Sequence, residues 1–169
     1  MKQSLRVMVL VVAVGATGGL LASGGDESRG RLPAVTHAQW QAECSACHLA
    51  YHPGLLPERS WHRIMAGLDQ HFGENASLDA ATAADIDRFL AANAADRSDH
   101  RRSRRIAGSI APGAAPLRIS DTPWFVREHR EIAAATWRRP KIGSPANCAA
   151  CHQGADQGDF SERRIRIPK

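Results

Sequence analysis

The sequence predicts an all-α protein. Apolar residues recur every three or four positions in several segments, which is the spacing of one face of a helix. Residues that cap helices precede these segments, and glycine or proline follows them. Strand-like alternation is confined to one brief segment near the end of the chain, residues 163–168. We therefore expect helices joined by irregular turns.

Residues 1–24 are predicted to form a secretory signal peptide. Lys2 and Arg6 precede an apolar run, and small residues follow this run from Ala22. The run is shorter than the roughly 20 apolar residues of a membrane span, which disfavours the alternative of a retained anchor. We expect cleavage near Ala22–Gly25 and export to the periplasm, without a lipid anchor because no cysteine lies near the cleavage site.

Three helices are predicted in an N-terminal domain that covers residues 25–96. Thr36 forms a capping box with Gln39 at the start of the first helix. The second and third helices are predicted at residues 60–72 and 80–95. Gly73, a residue type that favours helix C-termini, ends the second helix, and Asp79 caps the third.

Residues 97–119 are predicted to be a linker or a long surface loop, because they lack a helical period and contain several glycines and prolines. An arginine cluster, HRRSRRI, lies within this segment at residues 100–106. It is either solvated or a surface that steers an acidic partner, and no interleaved aromatic residues indicate nucleic-acid binding. Loss of the signal peptide removes two of the 22 basic residues. The 20 that remain exceed the 17 acidic residues by three, so the net charge is a modest +3.

A small C-terminal domain is predicted at residues 120–169. Thr122 and Pro123 begin a fourth helix, with proline at the first helical position, where it is tolerated. This helix is expected to end before Pro140, and a short helix follows near residue 148. A domain of about fifty residues buries too little surface to form a stable core on its own. A large apolar cofactor would supply the missing core.

All four cysteines lie in two copies of one motif, C-x-x-C-H. The copies are CSACH at residues 44–48 and CAACH at residues 148–152. This motif is the signature of covalent c-type haem attachment. Because helix positions three and four apart are neighbours, Cys44 and Cys47 can reach one edge of a haem while His48 is presented to the iron. The corresponding residues of the second copy are Cys148, Cys151 and His152.

Two other uses of paired cysteines fit the pattern less well. Zinc ribbons space their C-x-x-C pairs by about 15–20 residues, whereas these motifs begin at residues 44 and 148. A redox-active dithiol is expected near a βαβ pattern, which this sequence lacks. Two copies that use every cysteine behind an export signal favour two covalently attached haems.

The second axial ligand of each haem is expected to be a histidine outside the motifs. Six histidines qualify: His37, His52, His62, His71, His100 and His129. His71 shares a face with Ile64 on the second predicted helix, and His129 lies four residues after Phe125 on the fourth. We expect His71 to serve the first haem and His129 the second. The one methionine of the mature chain, Met65, is expected to be a core residue.

The other histidines fit less well. His52 follows His48 by four residues and would approach the iron from the same side. His62 points away from the apolar stripe of its predicted helix. His37 and His100 remain in reserve, and a ligand lent by one half of the chain to the haem of the other half stays open.

Five segments of the chain resemble the dihaem cytochrome c family of bacteria. They read ACHLAYHPGLLPERSWHRIM, HFGENASLD, ISDTPWFVREHREI, NCAACHQGADQGDF and RIRIP. The resemblance extends from about Trp40 to Pro168 and goes well beyond C-x-x-C-H. It implies a class I cytochrome c-like N-terminal haem domain and a small, irregular C-terminal haem domain.

The resemblance also implies two covalently attached haem c groups, each with two histidine ligands, in a periplasmic electron carrier. The proximal ligands that it implies are His48 and His152, and the distal ligands are His71 and His129. It gives no role to His52 and His62, which lie in matched segments. Members of the family often work beside a small monohaem cytochrome that binds oxygen and a membrane b-type cytochrome, so these are the expected partners.

Electron transfer is the function that two protein ligands on each iron favour, because no coordination position is left for a substrate. The expected protein is therefore not an enzyme. The alternatives are a dihaem peroxidase or reductase and a gas sensor, each of which needs one haem with an open or displaceable position. Histidine in place of methionine should also lower the reduction potential, since methionine ligation raises it.

Overall fold

The computed structural model describes residues 30–169, and the predicted signal peptide, residues 1–24, lies outside the described residues. Within this range the chain forms α-helices, short 3-10 helices and isolated bridges but no strands, so the all-α prediction is confirmed. The helices are α1 (Ala38–Cys44), α2 (Glu58–Met65), α3 (Ala80–Ala92), α4 (Arg101–Ser109), α5 (Pro123–Glu128) and α6 (Ala134–Trp137). None of the helices between residues 30 and 169 has the length and apolarity needed to cross a bilayer.

Helix α1 begins and ends differently from the sequence prediction. The cap is His37 rather than Thr36, because the Nδ1 atom of His37 accepts a hydrogen bond of 3.1 Å from the Trp40 amide. The helix ends at Cys44, and the rest of the C-x-x-C-H motif forms a turn. His48 is therefore placed by a turn after the helix, and not by the helix itself.

Helix α2 is shorter than the predicted helix at residues 60–72, since it ends at Met65. Gly67, a poor helix former, precedes a 3-10 helix at Leu68–Gln70. His71 consequently lies in a tight turn, and the next residue, Phe72, has a positive φ of 54°. Helix α3 agrees with the prediction at its start, where the Asp79 carboxylate accepts hydrogen bonds from two backbone amides of the first turn.

The prediction that residues 97–119 form a linker or loop is wrong for helix α4, which occupies the middle of this segment. The side chains of Ser103 and Ile106 are fully buried on one face of α4, and Ile110 is buried just after its end. Arginines cover the exposed face and mask this short apolar pattern in the sequence. The segment is therefore part of the core.

The C-terminal part contains less helix than predicted. The Thr122 hydroxyl accepts a hydrogen bond from the Phe125 amide at the start of α5, as a cap does. The helix stops at Glu128 instead of continuing towards Pro140. The remaining turns are 3-10 helices at Cys148–Ala150, Ala155–Gln157 and Glu162–Arg164. The strand-like segment at residues 163–168 makes only one isolated bridge, from Ile165 to His152.

Two hydrophobic cores organise the molecule. The first core joins α1, α2 and α3 and contains Trp40, Leu56, Trp61, Ile86, Leu90 and Ala94. The second core contains Leu32, Leu55, Ile106, Ile110, Trp124, Phe125, Ala155 and Phe160. Leu55 and Leu56 are adjacent in sequence but belong to different cores, and Ile119 packs against both. The second core thus draws residues from both halves of the chain.

We predict that Ile106→Ala lowers the free energy of unfolding by about 2–5 kcal/mol, because it removes a fully buried side chain from the second core. Arg104→Ala, on the exposed face of the same helix, should change stability by at most about 0.5 kcal/mol. Urea unfolding of the two purified variants measures both effects. Equal, small changes in both would show that residues 97–119 behave as a surface linker.

Candidate functional site

The first C-x-x-C-H motif lies opposite His71. The ring centroids of His48 and His71 are 6.1 Å apart, and their ring planes are inclined by 25°. With metal–nitrogen bonds of about 2 Å and a ring nitrogen about 1 Å from the ring centre, two imidazoles on opposite sides of one metal have centroids about 6 Å apart. The pair therefore has the spacing of two axial ligands of a single metal ion.

The second motif lies opposite His129 with nearly the same spacing. The ring centroids of His129 and His152 are 6.2 Å apart, and their planes are inclined by 79°. A cavity of about 240 Å³ is lined by both histidines and by Cys148 and Cys151. Apolar side chains, among them Trp124, dominate the rest of its wall. Shape and lining suit a large apolar group that is attached at one edge.

Hydrogen bonds orient one histidine of each pair. The Nδ1 atom of His48 lies 2.8 Å from the Leu49 carbonyl oxygen, and the Nδ1 atom of His129 lies 2.9 Å from the Phe125 carbonyl oxygen. Metal-bound histidines commonly donate their second ring N–H to such a carbonyl, which fixes the tautomer. Both rings are thereby arranged to present Nε2 to a metal.

His152 differs, because its Nδ1 atom is buried without a hydrogen-bond partner among residues 30–169. Native structures rarely leave a buried polar atom unpaired. Burial, followed by the nearby His129, lowers the pKa of His152 to about 4. Its imidazole is consequently neutral at neutral pH, which is the form that binds iron. A neutral histidine on this cavity wall has the protonation state that a bound metal group requires.

One thiol of each motif is partly buried and protonated. All four cysteines are free. Burial raises the pKa of Cys44 and of Cys148 to about 11. Because the thiolate is the nucleophile in thiol exchange, these two thiols are poor nucleophiles at neutral pH.

His52 and His62 already have protein partners. The Nε2 atom of His52 lies 2.8 Å from the Pro33 carbonyl oxygen, and its Nδ1 atom accepts a hydrogen bond of 2.9 Å from the Gly54 amide. His62 lies on the surface with its Nδ1 atom 2.8 Å from the Asp87 carboxylate. These contacts give both histidines structural roles outside the two imidazole pairs.

The reserve candidates, His37 and His100, also lie outside the pairs. His37 caps α1 through Nδ1, and its Nε2 atom is 2.9 Å from the Asp85 carboxylate. The Nδ1 atom of His100 is buried without a hydrogen-bond partner among the described residues. The histidine pairs that the structure brings together are thus His48 with His71 and His129 with His152. Each pair stays within its own half of the chain.

Tyr51 connects the two sites, a role that the motifs did not reveal. Its ring centroid lies 5.0 Å from that of His48, and its hydroxyl donates a hydrogen bond of 2.7 Å to the Ala146 carbonyl oxygen. Ala146 is two residues before Cys148, so one side chain reaches both motifs. Burial raises the pKa of Tyr51 to about 12, which keeps the hydroxyl protonated as a donor. The only available signal was that Tyr51 is the single tyrosine of the chain.

Comparison with known proteins gives a consistent set of similarities. The family model described as dihaem cytochrome c matches residues 40–160. A diheme cytochrome c from Rhodobacter sphaeroides is 47% identical, with a TM-score of 0.68 over 76% of this chain and 100% of that chain. A diheme cytochrome type c from Shewanella baltica is 36% identical, with a TM-score of 0.64 over 78% of this chain and 92% of that chain. No curated protein matches the chain.

The surface position of His62 leads to a prediction about its titration. The hydrogen bond with Asp87 raises the pKa of His62 above its ordinary value of 6.5, so the charged pair persists below this raised pKa and is lost as the pH rises through it. NMR titration of the reduced protein should give a His62 midpoint above 6.5, and Asp87→Asn should lower that midpoint. A His62 ring that does not titrate would indicate that it binds metal.

Proposed function

The chain belongs to the dihaem cytochrome c family, and from that premise we propose that it is a periplasmic electron carrier whose two haems are low-spin and bis-histidine ligated. The protein carries two covalently attached haem c groups, as its family does. When bound, these groups supply one-electron oxidation and reduction at their irons. The rest of the function is derived from what the polypeptide does around them.

The proposed ligands and attachment points follow the two motifs. Thioether bonds are formed by Cys44 and Cys47 in the first site and by Cys148 and Cys151 in the second. The axial ligands are His48 and His71 in the first site and His129 and His152 in the second. The observation that carries this assignment is the separation of 6.1 Å and 6.2 Å between the paired ring centroids. Both separations fit two imidazoles that share one metal.

Two histidines on each iron support electron transfer in preference to catalysis. Each pair would hold its iron from both sides, so oxygen or peroxide would have to displace a histidine in order to bind. Met65 packs beside the first core, as the sequence prediction of a core residue requires. Histidine ligation favours a lower reduction potential than the histidine–methionine pair of many cytochromes c.

The proximity of the two motifs supports rapid transfer of an electron within the protein. Leu49, next to the ligand His48, and Cys148, in the second motif, pack against the same hydrophobic core. Tyr51 adds a hydrogen bond to the chain before Cys148.

The partners that we propose are a small monohaem cytochrome that binds oxygen and a membrane b-type cytochrome. Exposed arginines of α4, such as Arg101 and Arg105, form a basic surface that suits an acidic partner. Attraction between such surfaces accelerates association and weakens as salt is added. Nucleic acid is not among the proposed partners.

Gas sensing is a second candidate, and one observation favours it. Phe72, directly after His71, has a φ of 54° and an exposed fraction of 46%. A bulky residue in this left-handed conformation is strained, and such strain can accompany a movable segment. Displacement of His71 would open the first haem to a small ligand. A dihaem peroxidase or reductase would need the same opening.

Absorption spectra distinguish these functions. We predict that the oxidised and reduced protein shows only low-spin haem and that CO leaves the spectrum of the reduced protein unchanged. His71→Ala and His129→Ala should each convert one haem to the high-spin form, whereas the control His62→Ala should convert neither. A high-spin band or rapid CO binding in the unaltered protein would instead favour the sensor or the enzyme.

The ring planes predict two distinguishable EPR signals. The angle between axial imidazole planes sets the anisotropy of a low-spin ferric haem, and the angles here are 25° and 79°. The oxidised protein should therefore give one ordinary rhombic signal and one signal with a larger highest g value. His129→Ala should remove the second, because His129 belongs to the nearly perpendicular pair. Two identical rhombic signals would contradict the structure of the second site.

A further inference from the structure

Arg102 of α4 is held between two aromatic rings at the second site. Its guanidinium carbon lies 5.4 Å from the ring centroid of Trp124 and 5.9 Å from that of Phe160. Both distances permit cation–π attraction. The ring of Phe160 in turn lies 5.3 Å from the ring of His152, edge to face. The ring of Phe160 thus contacts both the Arg102 guanidinium and His152, a proposed iron ligand.

The guanidinium has more donors than protein acceptors. Arginine carries five N–H donors, but the one hydrogen bond that Arg102 makes within residues 30–169 is a long contact of 3.4 Å to the Phe160 carbonyl oxygen. It forms no ion pair in the described part of the chain, although Glu128 and Glu162 line the same cavity. Glu128, Glu162 and Asp159 act on Arg102 only through their fields, so its guanidinium N–H groups remain available to bind an anion directly.

The cavity that Arg102 lines is the one that also contains Cys148, Cys151, His129 and His152. A haem bound there brings its own anions, because each haem carries two propionate carboxylates. Arginine is the side chain best suited to a carboxylate, which it can bind through two parallel hydrogen bonds. The most direct partner for Arg102 is therefore the cofactor itself.

We propose that Arg102 binds a propionate of the second haem and raises the reduction potential of that haem. This inference rests on the proposed ligation of the second site. Reduction adds a negative charge at the iron, and a fixed cation in a partly buried, low-dielectric site stabilises the reduced form. Arg102 is a positioning residue, which acts on the iron through the propionate and through its field.

The chain offers a matched control on the same helix. Arg104 carries the same charge as Arg102 but is exposed. It lines neither this cavity nor the neighbouring pocket that Arg101, Arg102 and Arg105 line. Solvent and salt screen a charge at such a position. Arg104→Gln therefore reports the effect of losing one positive charge from α4 without the proposed contact.

The test is a redox titration of the haem-loaded protein followed by EPR, with the second haem identified as the signal that His129→Ala removes. Arg102→Gln should lower the midpoint potential of the second haem, with a much smaller shift at the first, and both haems should stay low-spin. The midpoint potential of the second haem in Arg102→Lys should lie between those of Arg102→Gln and the unaltered protein, since lysine keeps the charge but loses the paired hydrogen bonds. Arg104→Gln should have the same two midpoint potentials as the unaltered protein.

Equal potentials for the second haem in Arg102→Gln and Arg104→Gln would overturn the proposal. A crystal structure of the haem-loaded protein gives an independent test that needs no variant. Hydrogen bonds from Arg102 to a propionate would support the proposal, whereas an Arg102 ion pair with Glu128 or Glu162 in place of that contact would overturn it. High-spin haem in the unaltered protein would count against the proposed ligation and not against Arg102.

Discussion

In each site two imidazole rings face each other with their centroids about 6 Å apart, and the rest of the structure depends on this constraint. Each C-x-x-C-H motif supplies one ring of a pair, and a turn elsewhere in the same half supplies the other. Short helices and turns hold the two histidines of each pair at this distance. The longest helix among residues 30–169, α3, lies at the first core, where α2 packs on it.

The two sites differ in how the polypeptide encloses them. The first has a strained turn after His71, whereas the second is a cavity bounded by Trp124, Phe125 and Phe160. Helix α4 contributes Arg102 to the wall of that cavity and Ile106 to the second core beside it. A haem in the second site would complete a core that the short C-terminal part cannot build alone.

The chemistry of the sites could be predicted from the sequence more reliably than the helices and turns that carry the site residues. The motifs and the helical class were predictable because C-x-x-C-H and its spacing are local signals. Helix α4 was missed because arginines outnumber the buried pair Ser103 and Ile106. His71 was expected on a helix but lies in a turn, since Gly67 and a 3-10 segment end α2 early. Tyr51 and Arg102 act through long-range contacts that no local pattern records.

Near-infrared magnetic circular dichroism of the ferric protein tests the central claim most directly, because its charge-transfer bands identify the pair of axial ligands on every low-spin haem. We predict bis-imidazole bands alone, with an intensity that accounts for two haems per chain. A histidine–methionine band, or a high-spin band from a haem with one protein ligand, would contradict the pairing of His48 with His71 or of His129 with His152.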